Sequence, residues 1–127
     1  MTRPTHLALG EEDSFSRRMF GRELGPPWDA VDLEADPDRE WRSAAQDSPE
    51  QSYALWRQTV ARSRALLAEA LEGGGLDRPA AGSRPADRTP GLRRVLIDLI
   101  EEYARHVGHA DLLRESIDGR VGEDPPQ

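Results

Sequence analysis

At 127 residues, with 36 % hydrophobic and 32 % charged residues, the chain suits one domain over 1–127, and it holds no apolar run of ~18 residues to cross a membrane and no N-terminal apolar stretch of a secretory signal. The absence of cysteine excludes disulfides, thiolate metal sites and a cysteine nucleophile, and it fits the cytoplasm. A net charge of -7 and a pI of about 4.9 argue against nucleic acid as the main partner, because a groove that tracks phosphates needs a basic field.

The 11 Gly and 10 Pro are too many for helices joined only by short loops, so long irregular stretches are expected between ordered ones. All 17 basic residues are Arg, and the chain also lacks Asn. Arg and Ala have GC-rich codons, whereas Lys and Asn have AT-rich ones, so this composition points to a high-GC bacterial genome.

The first helical segment runs from about Pro4 to Phe20, with Pro4 suited to a first turn. Leu7, Leu9, Phe15, Met19 and Phe20 give it a ragged apolar face, which Gly10 interrupts at a cost of about 1 kcal/mol relative to Ala. Residues 21–47 read as a long connection, acidic from Asp29 to Asp38, with Trp28 and Trp41 as anchors to the body. The second helix, over about 49–72, has the clearest boundaries. Ser48 is placed as N-cap, Pro49 as N1 and Gln51 as N3, the pattern of a capping box, and Gly73-Gly74-Gly75 ends it. Its expected apolar positions are Tyr53, Trp56, Val60, Leu67 and Leu71. A Pro-, Gly- and Arg-rich loop over 77–89 leads to the third helix, over about 90–118, with Thr89 as its cap. Leu92, Leu96, Leu99, Tyr103, His106, Ala110, Leu113 and Ile117 alternate steps of four and three, which predicts a continuous core seam. Gly119 closes that helix, and 122–127 are expected to be a disordered tail. The fold class is therefore all-α.

Two of the three histidines, His106 and His109, lie on the third helix with Glu102. At ~100° per residue, His106 falls roughly 40° to one side of Glu102 and His109 roughly 20° to the other, so the three share a stripe that the core seam also occupies. A carboxylate facing a bundle interior is costly unless it is paired or metal-bound. Glu and His at i and i+4 reach one cation, a third ligand has to come from another helix, and His6 is the remaining histidine. The alternative pairs Glu102 with Arg105 or another Arg and leaves the histidines in ordinary hydrogen bonds; E-x3-H alone is short and common and favours this. Glu101, Arg105, Arg93 and Arg94 read as a solvated charged face, and no nucleophile elbow of the G-x-S-x-G kind is present.

The run EEYARHVGHADLLRESIDG, within Leu92 to Gly122, resembles the DinB-like family, in particular an actinobacterial branch formerly catalogued as a domain of unknown function. The N-terminal stretch THLALGEEDSFSRRMFGRELGPPW is similar, less closely, to a segment of that branch that follows the family's first helix. The resemblance implies an up-down-down-up four-helix bundle with a divalent metal between helices. It implies His6, Glu102 and His106 as ligands, with His109 supporting a ligand or substituting for one. Characterised enzymes of the family use a low-molecular-weight thiol, which in a high-GC actinobacterium is mycothiol. The implied activity is a metal-dependent thiol S-transferase or isomerase, with zinc or nickel as the metal and a small thiol and an electrophile as substrates. The chain departs from the family pattern in carrying His6 so close to Met1 that the family's first helix is expected to be missing, and Gly10 and Ser14 replace larger residues. A wall left open in this way gives the alternative function, a non-catalytic helical module that forms a homodimer or binds a protein partner.

Overall fold

A computed structural model describes residues 4–30, 32, 34–36, 38, 42, 46–81 and 89–121. Among the described residues, three helices make up the body. Helix α1 spans Pro4–Glu12 and runs on into a π-helical segment, Asp13–Met19; α2 spans Pro49–Glu72, and α3 spans Leu92–Asp118. Short 3-10 turns lie at Trp28–Ala30 and Gly75–Asp77. Among the described residues there is no strand, only an isolated antiparallel bridge between Pro79 and Gly91. Nor is any described helix long and apolar enough to cross a membrane.

Cross-helix contacts fix the directions. His6, Glu11 and Arg18 of α1 and its extension meet His106, Tyr103 and Asp98 in turn, so α1 and α3 are antiparallel. Arg62 of α2 bonds Glu12, and Arg22, just beyond the π-helical segment, bonds Glu69, so α1 and α2 run parallel. This is a down-down-up arrangement, and it accounts for the long connection. Parallel neighbours need a crossover that returns along the bundle. Here it has to retrace the 24 residues of α2, ~36 Å at ~1.5 Å per residue. Trp28, 5 % exposed, anchors that connection; Trp41 lies outside the described residues, as do the loop residues 82–88 and the segment 122–127.

Helix α2 starts where its capping signals place it. The Ser48 hydroxyl accepts from the Gln51 N–H at 3.2 Å, and the Gln51 side chain accepts from the Ser48 N–H at 2.8 Å. Its buried stripe differs from the expected one. Ser52, Thr59, Ser63 and Ala70 face inward, while Tyr53 and Leu71 are 51 % and 45 % exposed. The inward residues share one line on the helix, and Tyr53 and Leu71 lie roughly 100° from it. Thr5 and Ala8 are the matching small residues buried on α1. Small side chains on both faces let the two parallel helices approach closely. Leu7 and Leu9, expected in the buried face of α1, are only partly buried.

Helix α3 begins at Leu92 with Gly91 as N-cap, not at Pro90 with a Thr89 cap. The reason is the bridge with the preceding loop. Ala80 N–H donates to the Pro90 carbonyl and Leu92 N–H to the Arg78 carbonyl, so the chain through Pro90 and Gly91 is held extended. At the other end Gly119 adopts φ 69°, a left-handed cap that glycine takes without strain.

The core gathers at the end of the bundle where the π-helical segment, the last turns of α2 and the first turns of α3 meet. Phe15, Met19, Ala70, Ala80, Leu92 and Val95 are buried there, with Leu66, Leu96 and Leu99 packed against them. The α3 seam is therefore core only in its first half. Leu113 and Ile117, expected inside, are 41 % and 80 % exposed, because α3 runs on past the described ends of α1 and α2. Leu113→Ala is accordingly expected to change the unfolding free energy by no more than about 0.5 kcal/mol. A loss of about 2 kcal/mol or more in urea unfolding would restore Leu113 to the core.

Two acidic residues of α1 are buried, which the apolar pattern did not foretell. Glu12, 4 % exposed, accepts from the Gly25 N–H at 2.9 Å, from Ser16 Oγ at 2.9 Å and from Arg62 Nη2 at 3.0 Å. One carboxylate thus ties α1 to α2 and to the start of the connection. Burial by itself would raise the Glu12 carboxyl, but the Gly25, Ser16 and Arg62 bonds outweigh it and hold Glu12 below its ordinary value. A carboxyl lowered by folding stabilises the protein above its ordinary value and loses that contribution as pH falls through the lowered one. Glu12→Gln should therefore cost about 1–3 kcal/mol at neutral pH. The gap from wild type should shrink as pH falls below the ordinary value of 4.5, as followed by urea unfolding. A gap of the same size in acid and at neutral pH contradicts this role.

Candidate metal centre

The end of the bundle opposite the core brings together the residues singled out in the sequence. His6 sits in the first turn of α1, and Glu102 and His106 lie one turn apart on α3. The α1–α3 antiparallel packing sets the start of α1 beside the middle of α3, so that the three side chains converge. His6 Nε2 lies 2.9 Å from His106 Nε2 and 3.2 Å from Glu102 Oε1, and His106 Nε2 lies 2.8 Å from the same oxygen. The two imidazole rings meet edge to face, with centroids 4.4 Å apart.

Three donor atoms from separate residues, all within 4.8 Å of one another, are a grouping able to hold a metal ion. The donor chemistry suits a borderline divalent ion: two imidazole nitrogens and one carboxylate oxygen. At metal–ligand bonds of about 2.0–2.2 Å, tetrahedral donors sit roughly 3.4 Å apart, so these three would have to spread by only a few tenths of an ångström. Such a site keeps at least one coordination position open.

The alternative partner of Glu102 is also present but weaker. Arg105 Nη1 lies 4.0 Å from Glu102 Oε2, and its side chain is 68 % exposed. Glu102 therefore borders the interior instead of facing it, with its side chain 36 % exposed. Partial burial pushes its carboxyl up, but the hydrogen bonds from His106 and then His6, with the charge those rings carry when protonated, more than offset this and hold it below the usual carboxylate range. An ionised carboxylate is the form a cation needs. His109 is exposed, and its ring centroid is 6.0 Å from that of His106, beside the group but not within it.

Next to the three donors opens a cavity of about 330 Å³. Leu7 of α1, Tyr53 and Trp56 of α2, and Tyr103, Val107 and Ala110 of α3 line it, and His106 forms part of the same wall. Tyr103 Oη donates to Glu11 Oε1 at 2.8 Å and accepts from Trp56 Nε1 at 2.8 Å. Burial is the largest influence on the Tyr103 hydroxyl and raises it well above its usual range; the Trp56 N–H opposes this and the Glu11 carboxylate adds to it. The hydroxyl stays protonated and keeps donating. Glu11, only 7 % exposed, is thus the second buried acid of α1, and its partner was not visible in the sequence. The burial of Glu11 and Glu12 follows from Tyr103 and Arg62, which are placed against them by the fold.

Comparison of the chain with curated proteins and with solved structures gives no match. A family model does match: the one described as mycothiol-S-transferase aligns with residues 5–119, which include His6, Glu102 and His106. By that match the chain belongs to the mycothiol-S-transferase family, a DinB-like family.

Proposed function

We propose that the protein is a divalent-metal-dependent thiol S-transferase that uses mycothiol, with His6, Glu102 and His106 as the metal ligands. The observation that carries this reading is the convergence of those three donors, from two helices, in a chain that matches the mycothiol-S-transferase model. Zinc or nickel suits two imidazoles and a carboxylate. When bound, the ion supplies positive charge that lowers the pKa of a thiol and holds it as thiolate.

The chain's own residues do the rest. The turn of α3 between Glu102 and His106 fixes two donors on one rigid face, and Pro4–Glu12 brings the third. Leu7, Val107 and Ala110 place apolar surface beside the donors and limit water there. In the transfer, the thiol gives up its proton, its sulfur forms a bond to the electrophilic carbon, and the leaving group departs with the electron pair of the broken bond.

The test is thiol consumption by the metal-loaded full chain with mycothiol and chlorodinitrobenzene, followed by the absorbance of the arylated thiol. The wild type should accelerate the reaction, and Glu102→Ala, His106→Ala should lose at least ~100-fold of that acceleration, since metal assistance contributes several kcal/mol. Equal rates for the two proteins would refute the assignment. A second role is favoured by exposed Leu112, Leu113 and Ile117, a pairing of two copies along this part of α3. Light scattering at micromolar concentration tests it, and a monomer refutes it.

A further inference from the structure

The cavity beside the three donors differs in chemistry from the thiol that the family uses. Its wall is carbon. The indole of Trp56 and the phenol of Tyr103 spend their polar atoms on each other and on Glu11, at 2.8 Å in both bonds. The indole N–H is the only donor of Trp56, and the phenol O–H is the only donor of Tyr103, so neither is left to bind a ligand. What the two rings offer the cavity is apolar surface, fixed in place by those bonds. Leu7, Val107 and Ala110 add only aliphatic surface. A hydrophilic, sugar-based thiol needs hydrogen-bond partners along its length and finds few here. The volume of about 330 Å³ is at the lower end of the range for small-molecule sites. His106, whose Nε2 belongs to the donor group, forms part of the cavity wall, so an occupant lies against the reacting centre.

We infer that this cavity binds the electrophilic co-substrate of the transfer, and that the substrate class is one whose non-reacting part is apolar and aromatic, of one or two fused rings. The co-substrate role rests on the metal-dependent transferase reading; the preference for an apolar aromatic group rests on the cavity alone. Trp56 and Tyr103 act as specificity-determining side chains.

Two measurements on the full chain separate these claims. The first is calorimetric titration of the metal-free protein with naphthol, which has the ring system but no leaving group. The wild type should bind it in a single saturable phase. Ala110→Trp, which fills the cavity, should weaken binding at least 10-fold while retaining the helical circular-dichroism spectrum. Val107→Arg, which sets a charge at the 59 % exposed rim, should weaken it as well. Ile117→Ser, on the exposed end of α3, should bind as the wild type does. No binding by the wild type, or binding that neither cavity variant weakens, overturns the inference. So does binding that Ile117→Ser abolishes, since it would place the naphthol on the exposed helix end.

The second measurement compares iodoacetamide with N-naphthyl iodoacetamide as electrophiles for mycothiol on the metal-loaded protein. The reacting carbon and the leaving iodide are the same in both. The wild type should favour the naphthyl compound at least 10-fold in kcat/KM, and Ala110→Trp should remove that preference. Equal kcat/KM for the two compounds in the wild type overturns the substrate class. A protein that binds naphthol in the cavity but takes up no metal overturns the transferase reading and the co-substrate role with it. A protein that takes up metal but binds no naphthol overturns only the present inference.

Discussion

Zinc or nickel at 100 times its dissociation constant is expected to raise the unfolding free energy of the full chain by about 2.7 kcal/mol, and Glu102→Ala, His106→Ala is expected to show no such rise. The three donors come from two distant stretches of the chain. His6 is separated from Glu102 by 96 residues of chain and from His106 by 100, so only the folded state brings the three together. An ion that needs all three binds the native protein and not the unfolded chain, and its binding free energy becomes folding free energy. Glu102 and His106 alone, one turn apart, remain close whenever α3 is helical and would couple weakly to the rest of the fold. The link between metal and global stability runs through His6. A His6→Ala variant should therefore lose most of the stabilisation while α3 stays intact. Thermal or urea unfolding with and without metal measures this, and an equal rise in wild type and double variant would remove these residues from the site.

Met19→Ala should cost about 2–5 kcal/mol in the metal-free protein. Met19 is 1 % exposed and belongs to the cluster that Phe15, Leu92 and Val95 complete. It lies at the last position of the π-helical segment, where its own carbonyl accepts from the Ala81 N–H at 3.1 Å. The side chain therefore fills the core at the point where the first segment meets the loop before α3. Urea unfolding gives the value, and a cost below about 1 kcal/mol would mean that the core there is loosely filled. Because this cluster lies at the opposite end of the bundle from the three donors, the loss should be additive with that of the metal ligands.

Much of this was legible in the sequence where a local rule operates. Ser48, Pro49 and Gln51 announce the start of α2 through a pattern that involves no distant residue, and the structure forms both capping bonds. The i, i+4 spacing of Glu102 and His106 places both side chains on one face of α3 by helical geometry alone. Partnership across the bundle was less legible. The spacing alone favoured Arg105 or another Arg as the partner of Glu102, and only the antiparallel approach of α1 decides that His6 reaches the same carboxylate at 3.2 Å. The buried faces of α1 and α2 were misread for a related reason. A rule that seeks large apolar residues passes over Ser52, Thr59 and Ser63, which are buried because α1 lies close against them. It also passes over Glu11 and Glu12, because their burial depends on Tyr103 and Arg62, far away in the chain. The α3 seam was right in its period and wrong in its extent: periodicity shows which face is apolar, not where the opposing helices stop.

The most direct test of the central claim is the metal content of the full chain after loading with zinc or nickel and exhaustive dialysis, measured by elemental analysis beside the Glu102→Ala, His106→Ala variant. The wild type should retain about one ion per chain and the variant essentially none, with the variant still helical by circular dichroism. Equal metal content in the two proteins would contradict the assignment of His6, Glu102 and His106 as the metal centre.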